Sequence, residues 1–267
     1  MTRTTPPDAV RVAAASAAWI WVPEQARTIE TDDFLLVRYP DWFFHPLELA
    51  RFDPAGDVGT ALDAALAAAR TFDLPDDAEL TAWVRLDAPD GLLEAYVDRG
   101  GVVDETLDVL ALDLTTGPPD LGGGDGGVEV RWVDDVQGLR DFAAVGVDVF
   151  GGKPTPEDQL EDTLAKERQT RALGRGGRVV AYDRGRPVAS GGVSVVDGDV
   201  RLWGGGVREE ARGRGVYRAL LAERIAEGLR QGAGLALVKG RVETSGPILR
   251  RAGFHAFGRE VSCTLPL

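Results

Sequence analysis

Apolar and polar residues alternate in several short stretches of this chain, and elsewhere apolar residues recur at helical spacing. Alternation in residues 80–86, 106–114 and 128–133 predicts strands that are half-buried on one face. The apolar run at 34–39 predicts a fully buried strand, and the spacing in 59–72 predicts an amphipathic helix. Strands and helices are mixed along both halves of the chain. This predicts a fold of the α/β type in the broad sense, an α+β arrangement with a mixed sheet.

A glycine- and proline-rich stretch at 115–127 interrupts this pattern and is the clearest linker in the chain. A chain of 267 residues is long enough for two modest domains. We therefore predict an N-terminal α/β domain at residues 1–120, a linker at 121–127 and a second domain at 128–267. Segment 41–49 in the first domain concentrates aromatic residues beside prolines, which predicts a packed irregular loop or the wall of a pocket.

In the second domain the pattern predicts the order strand, two helices, three strands, helix, strand, short helix, strand. A hairpin turn is expected at Asp197-Gly198. It leads into the most informative stretch, 200–221, where an apolar strand rich in glycine precedes the turn Arg212-Gly213-Arg214-Gly215 and a helix. Glycines let the backbone approach an anion, and the free amides at a helix N-terminus favour negative charge. This stretch therefore predicts a phosphate site, with Arg212, Arg214 and Arg218 as mobile cations.

Other phosphate motifs fit this stretch poorly. A dinucleotide fingerprint starting at Gly213 would need a glycine where Arg218 stands, and no Lys-Ser or Lys-Thr pair completes a Walker loop. An ordinary turn with arginines on the solvated face of the next helix stays an open alternative.

The turn and its spacing resemble the acetyl-CoA loop of the GNAT superfamily of N-acetyltransferases, whose pattern is [RQ]-x-x-G-x-[GA]. Arg212 and Gly215 match it, whereas Tyr217 replaces the final small residue. A second segment, TSGPILRRAGF at 244–254, resembles the family's C-terminal short helix and Gly-Phe pair. The resemblance covers about the last half of the chain. It implies a GNAT-like acyl-CoA N-acyltransferase fold there, beside a smaller α/β N-terminal domain.

The resemblance implies transfer of an acetyl group from acetyl-CoA to an unidentified primary amine by direct attack in a ternary complex. The acceptor would be a small molecule or a peptide. Glycines at 204–206 suit a strand bulge whose free amides polarise the thioester carbonyl. The residues expected to bind the cofactor are Gly205, Gly206, Val207, Arg212, Gly213, Arg214, Gly215, Val216, Tyr217, Arg218 and Ser245.

The catalytic residues are not identified by the resemblance. Leu249 stands where the family often has a tyrosine as general acid, and an apolar side chain cannot donate a proton. Tyr217 or a water could take that role, or the thiolate could leave unaided. Glu209, Glu210 and Glu243 are candidate bases, although each also fits a solvated surface carboxylate.

The acceptor side is expected at Asp148, Val149, Phe150 and Trp203, where an acidic lining would favour a cationic amine. Catalysis is not the only role that these features allow. The missing tyrosine equally fits a CoA-binding or sensing module with reduced catalysis, its N-terminal half serving as a scaffold or dimerisation surface.

A weak internal repeat links the two halves at an offset of 153, which pairs Gly100 with Gly253 and Leu112 with Leu265. The first half could be a degenerate GNAT-like half, or the agreement could be chance between two common β-α-β tails. The first half has no Arg-Gly loop between Tyr39 and Gly59, so we do not expect it to bind CoA in the same way.

The amino-acid composition excludes several kinds of partner and cofactor. A formal net charge of −13 disfavours nucleic acid and anionic membranes as partners. One cysteine, Cys263, excludes an intrachain disulfide and is expected in the core, and two histidines make a metal site improbable. No apolar run is long enough to span a membrane. We expect a cytoplasmic monomer or homodimer that uses no metal.

Overall fold

The computed structural model describes residues 5–40, 43, 45–75, 77–121 and 127–267. The helices are α1 (Ala9–Ala17), α2 (Val58–Ala69), α3 (Leu92–Asp98), α4 (Val136–Phe150), α5 (Leu160–Ala172), α6 (Val216–Arg230) and α7 (Ser245–Arg251). The strands are β1 (Arg27–Glu30), β2 (Phe34–Arg38), β3 (Leu47–Phe52), β4 (Glu79–Val84), β5 (Val102–Asp113), β6 (Glu129–Trp132), β7 (Gly176–Asp183), β8 (Arg186–Val196), β9 (Asp199–Val207), β10 (Leu235–Arg241) and β11 (His255–Pro266).

The chain folds as two compact units. Among the described residues, the first unit holds 9–109, 241–246 and 257–267, and the second holds 5–8, 110–240 and 247–256. Residues 122–126 of the predicted linker lie outside the described residues, and the boundary at 121–127 stays a prediction.

In the first unit the strands follow the order β1-β2-β3-β4-β11-β5. β11 pairs antiparallel with β4, so that Cys263 lies opposite Ala82, while β3 and β4 run parallel. The core lies under α2 and α3 and contains Leu36, Leu62 and Tyr96, together with Cys263, which is 0% exposed. Cys263 is therefore a small core residue, as predicted.

In the second unit the order is β5-β10-β9-β8-β7-β6. β9 and β10 pair parallel, whereas β6–β7, β7–β8 and β8–β9 pair antiparallel. The predicted hairpin joins β8 to β9, and its turn residues Asp197 and Gly198 have φ angles of 53° and 78°. The apolar face of α6 packs on the sheet through Leu221 and Ile225. The element order predicted for the second domain is confirmed.

The internal repeat is visible in the element bounds. β5 and β11 are each 12 residues long, and both bounds of β11 lie 153 residues after those of β5. α3 and α7 are each 7 residues long and differ by the same offset. Gly100 and Gly253, which link helix to strand in each copy, have φ angles of 83° and 95°. The repeat therefore extends to element lengths and to the turn between helix and strand, and the origin of the first half as a degenerate GNAT-like half stays a prediction.

The prediction of an irregular loop at 41–49 is wrong at its end, because Leu47 begins β3. Leu47 and Leu49 alternate with Glu48 and are buried, a pattern that the neighbouring prolines and aromatics obscured. Residues 41, 42 and 44 lie outside the described residues. In the described part of the chain, no helix is both long and apolar enough to cross a membrane.

Candidate cofactor and acyl-transfer site

A bulge interrupts β9 in its glycine-rich half. Ser190 of β8 lies opposite Gly206 and Gly192 lies opposite Trp203, which leaves Gly204 and Gly205 facing the single residue Gly191. Gly204 has a φ angle of 57°, which favours glycine because a β-carbon there would be strained. The glycine run therefore produces the strand irregularity that the sequence predicts.

The other edge of β9 is open beyond the bulge. The register between β9 and β10 ends at the pair Leu202 and Val238. Residues 203–207 of β9 consequently have no described strand partner on that side. Apart from the carbonyls of Trp203 and Val207, which accept from Arg224 and Arg212, their backbone groups on that edge are available to a ligand lying between the two strands.

The predicted loop follows β9 directly. A 3₁₀ turn, Glu209–Ala211, leads into Arg212, and Gly213 and Gly215 have φ angles of 73° and 87°. Gly215 caps α6 without a side chain that could accept from the first helical amides. None of the five backbone amides at 213–217 donates a hydrogen bond to a described residue. The loop therefore presents a row of free donors at a helix N-terminus.

The three loop arginines are exposed but differ in what they contact. Arg214 Nη1 lies 2.9 Å from Asp183 Oδ2 at the end of β7. Arg212 donates from Nε to the Val207 carbonyl at 3.1 Å, which ties the loop to the end of β9. Arg218 reaches the Leu121 carbonyl only at 3.5 Å.

The C-terminal end of α4 covers the opposite face of the bulge. A β-carbon at Gly206 would lie 2.8 Å from Val149 Cγ1 and 3.0 Å from Phe150 Cε2. Asp148 pairs with Arg208 at 2.8 Å, so its carboxylate is already neutralised in part. These contacts bring the predicted acceptor residues of α4 to β9.

Trp203, the fourth predicted acceptor residue, lies on the same strand and is held in place by its neighbours. Its indole Nε1 donates to Ser194 Oγ at 3.0 Å, and its ring meets Phe142 of α4 edge-on. Ser190 Oγ is buried and has no hydrogen-bond partner within the described residues. No sequence pattern marks this hydroxyl, because Ser190 is a lone serine within a strand.

The candidate catalytic residues occupy very different environments. Tyr217 is half-buried on α6, and a β-carbon at Gly205 would lie 3.3 Å from its Cε2 atom, so Tyr217 lies beside the bulge. Glu209 is exposed in the 3₁₀ turn. Glu243, also exposed, and half-buried Ser245 belong to segment 241–246 of the first unit.

Leu249 is 0% exposed and packs in the core of the second unit with Phe254. The position that often carries a tyrosine in the GNAT superfamily is therefore filled by core packing here. Arg224, which is 1% exposed in the middle of α6, was not among the predicted site residues. Its place in the apolar stripe, four residues after Leu220, is the signal that identifies it as buried.

In the part of the chain that the structure describes, no group of three or more His, Cys, Asp or Glu side chains could hold a metal ion. His45 lies in the first unit, where burial lowers the pKa of its imidazole and the nearby Asp104 and Glu105 only partly oppose that effect.

No protein-family model and no curated protein matches the chain. Solved structures do. A GCN5-related N-acetyltransferase from Kribbella flavida is 20% identical with a TM-score of 0.67, and the match covers 99% of this chain and 97% of that one. A GCN5-related N-acetyltransferase from Sphaerobacter thermophilus is also 20% identical with a TM-score of 0.67, over 88% of this chain and 80% of that one.

A tandem GNAT protein from the clavulanic acid biosynthesis pathway matches 98% of this chain and 90% of its own length, with 15% identity and a TM-score of 0.60. The chain therefore has a GNAT fold, and the similarity extends over both units. The predicted fold class is confirmed, and the resemblance to the GNAT superfamily is confirmed as a likeness of fold.

Proposed function

We propose that the protein is an N-acetyltransferase that transfers the acetyl group of acetyl-CoA to a primary amine. One observation supports this most strongly. The free amides at 213–217 stand at the N-terminus of α6, directly after a strand whose far edge is unpaired. Free amides at a helix N-terminus bind a diphosphate, and an unpaired strand edge can accommodate an extended pantetheine arm.

In this proposal the diphosphate accepts hydrogen bonds from the amides of Gly213 to Tyr217. Arg212, Arg214 and Arg218 surround it with positive charge. The pantetheine arm lies along the open edge of β9 and carries the thioester to the bulge. Amides at Gly205, Gly206 and Val207 hold the carbonyl oxygen, and Ser245 is a further candidate for contact with the CoA arm.

The chemistry requires one nucleophilic attack and two proton movements. The amine nitrogen attacks the carbonyl carbon, the electron pair moves to the oxygen, and its return expels the CoA thiolate. The amine loses its proton to water or to a carboxylate, for which Glu209 and Glu243 are candidates. Tyr217, beside the bulge, is our candidate for protonating the thiolate in place of the tyrosine that Leu249 replaces.

The acceptor enters from the α4 side of the bulge, past Val149 and Phe150. Asp148 at this end also lines an open groove of about 540 Å³ between α4 and residues 154–160. We propose a small-molecule or peptide amine as the acceptor. In the groove Asp148 pairs with Arg208 at 2.8 Å and Glu157 pairs with Arg140 at 2.7 Å, so these two carboxylates do not by themselves select a cationic acceptor.

Calorimetry with acetyl-CoA tests the cofactor site. We expect one molecule bound per chain. The double variant Arg212→Gln/Gly215→Ala should lose binding while keeping its circular dichroism spectrum. Arg230→Gln/Gly232→Ala, which alters an arginine and a positive-φ glycine at the other end of α6, is the matched control and should bind normally. Unchanged binding by the loop variant would refute the site.

A second function is favoured by the burial of Leu249. The protein would then bind CoA as a sensing module with reduced catalysis, and its N-terminal half would act as a scaffold or dimerisation surface. A thiol-release assay over a panel of amines separates the two functions. Acceptor-dependent release of CoA supports the transferase, whereas binding without release over the whole panel supports the sensing module.

A further inference from the structure

Arg224 is the largest of the fully buried side chains, and its guanidinium lies on the α6 side of the β9 bulge. Its Nε donates to the Leu220 carbonyl one helical turn earlier, at 3.3 Å. Nη1 reaches the carbonyls of Gly192 and Trp203, but both distances are 3.5 Å. Nη2 is buried and donates to no described residue.

No carboxylate neutralises this charge among the described residues. By contrast, Arg178 pairs with Glu167, Arg208 with Asp148 and Arg214 with Asp183 in the same unit. Burial lowers the pKa of Arg224, and Tyr217, whose ring centroid lies 5.9 Å from Cζ, is the partner that opposes this. A buried cation without a counterion is costly and calls for a reason.

Two glycines bring this charge up to the bulge. A β-carbon at Gly205 would lie 3.0 Å from Nη2, and one at Gly191 would lie 3.0 Å from Nη1. Any other residue at these positions would crowd the guanidinium. The positive charge is therefore separated from the bulge only by glycine backbone, and the guanidinium itself is shielded from water because Arg224 is 1% exposed.

We infer that Arg224 is a positioning residue that places an unneutralised positive charge behind the bulge, where the acyl carbonyl oxygen becomes negative. This inference rests on the proposed function. During attack by the amine, the carbonyl π electrons move to the oxygen, and they return when the carbon–sulfur bond breaks. Arg224 exchanges no proton. It strengthens the polarisation that the bulge amides begin, because solvent screens the field of a buried charge less than that of an exposed one.

A purely mechanical role is the competing explanation, because Nη1 contacts the carbonyls of both strands at the bulge. The two roles differ in what a substitution should do. Arg224→Lys keeps the charge but lacks the planar fork that reaches two carbonyls. Arg224→Met keeps much of the apolar stem without the charge. Rescue by lysine therefore indicates charge, and failure of lysine indicates geometry.

The test uses the full chain with acetyl-CoA labelled with ¹³C at the carbonyl carbon, and needs no acceptor. We expect the carbonyl resonance of the bound thioester to lie downfield of the free one. Arg224→Met should lose more than half of that displacement, and Arg224→Lys should keep most of it. Arg171→Met is the control, since Arg171 stacks on Trp132 at 3.8 Å with Glu227 and Glu167 nearby, and it should change nothing.

Each outcome has one meaning. If the wild-type protein does not bind acetyl-CoA, the proposed function fails and this inference fails with it. If all variants bind but Arg224→Met keeps the full displacement, or Arg224→Lys loses as much as Arg224→Met, the inference alone is overturned. Arg224→Gln replaces the methionine variant if that variant melts early. With an acceptor, kcat should fall about 10- to 100-fold in Arg224→Met with KM for acetyl-CoA unchanged.

Discussion

Asp183 should weaken CoA binding, because it holds Arg214 away from the ligand. The two side chains form an ion pair of 2.9 Å in which Arg214 is 47% exposed and Asp183 is 21% exposed. In the proposed site, Asp183 and the diphosphate compete for the guanidinium of Arg214. Exposed ion pairs contribute about 0.2–1 kcal/mol. Asp183→Asn removes that cost, so we expect Kd to fall by about 1.4- to 5-fold, at about 1.4 kcal/mol for each factor of ten.

Calorimetry of CoA binding at low and moderate ionic strength measures this effect. Asp197→Asn is the matched control, since it removes the same charge from the β8–β9 turn, where asparagine tolerates the φ angle of 53°. Charges that lie farther from the ligand than a Debye length of about 8 Å in physiological salt are largely screened. Removing the charge of Asp197 should therefore change CoA affinity little. Equal tightening by both variants would mean that only net charge acts. Unchanged or weaker binding by Asp183→Asn would refute the competition for Arg214.

Three further changes probe the acceptor side, the missing tyrosine and the first unit. Gly206→Ala brings a β-carbon to 2.8 Å from Val149 Cγ1, so we expect turnover to fall by about 10- to 100-fold in steady-state kinetics, with CoA affinity unchanged. Leu249→Tyr should lower the free energy of unfolding by about 1–3 kcal/mol in denaturant titration without raising turnover, because Leu249 is 0% exposed in a packed core. Burial lowers the pKa of His45 below 6.5, so the folded state resists protonation and stability should fall as the pH drops from 6.5 towards that lower pKa. Melting temperatures between neutral and acidic pH should fall less steeply in His45→Gln than in the wild type.

Sequence patterns predicted those features that local chemistry decides. Alternation located β4 and β5, and the turn at Asp197-Gly198 was identified because its residues tolerate positive φ angles. The glycine run at 204–206 predicted a bulge for the same reason, since residues without a β-carbon permit strand irregularity. In each case a few neighbouring residues determine the backbone.

Features that depend on distant partners were not predicted. The burial of Arg224 in α6 depends on the space left by Gly191 of β8 and Gly205 of β9. No residue near Arg224 in the sequence indicates these contacts. The ion pair of Arg214 with Asp183 likewise joins a loop to the end of β7. The sequence pattern located the arginines of the loop. Their contact partners, which determine how available each guanidinium is to a ligand, come from the tertiary fold.

The N-termini of α2 and α6 differ in the residue that caps the helix. α2 and α6 both follow a strand and precede the next strand and short helix of their copies. At α2, Asp57 Oδ1 accepts from the Thr60 amide and the Thr60 hydroxyl, both at 2.8 Å, so a carboxylate of the chain itself occupies the anion position. At α6 the N-cap residue is Gly215, which has no side chain, and the amides stay open. Because one N-terminus carries its own anion and the other does not, we expect one CoA site per chain.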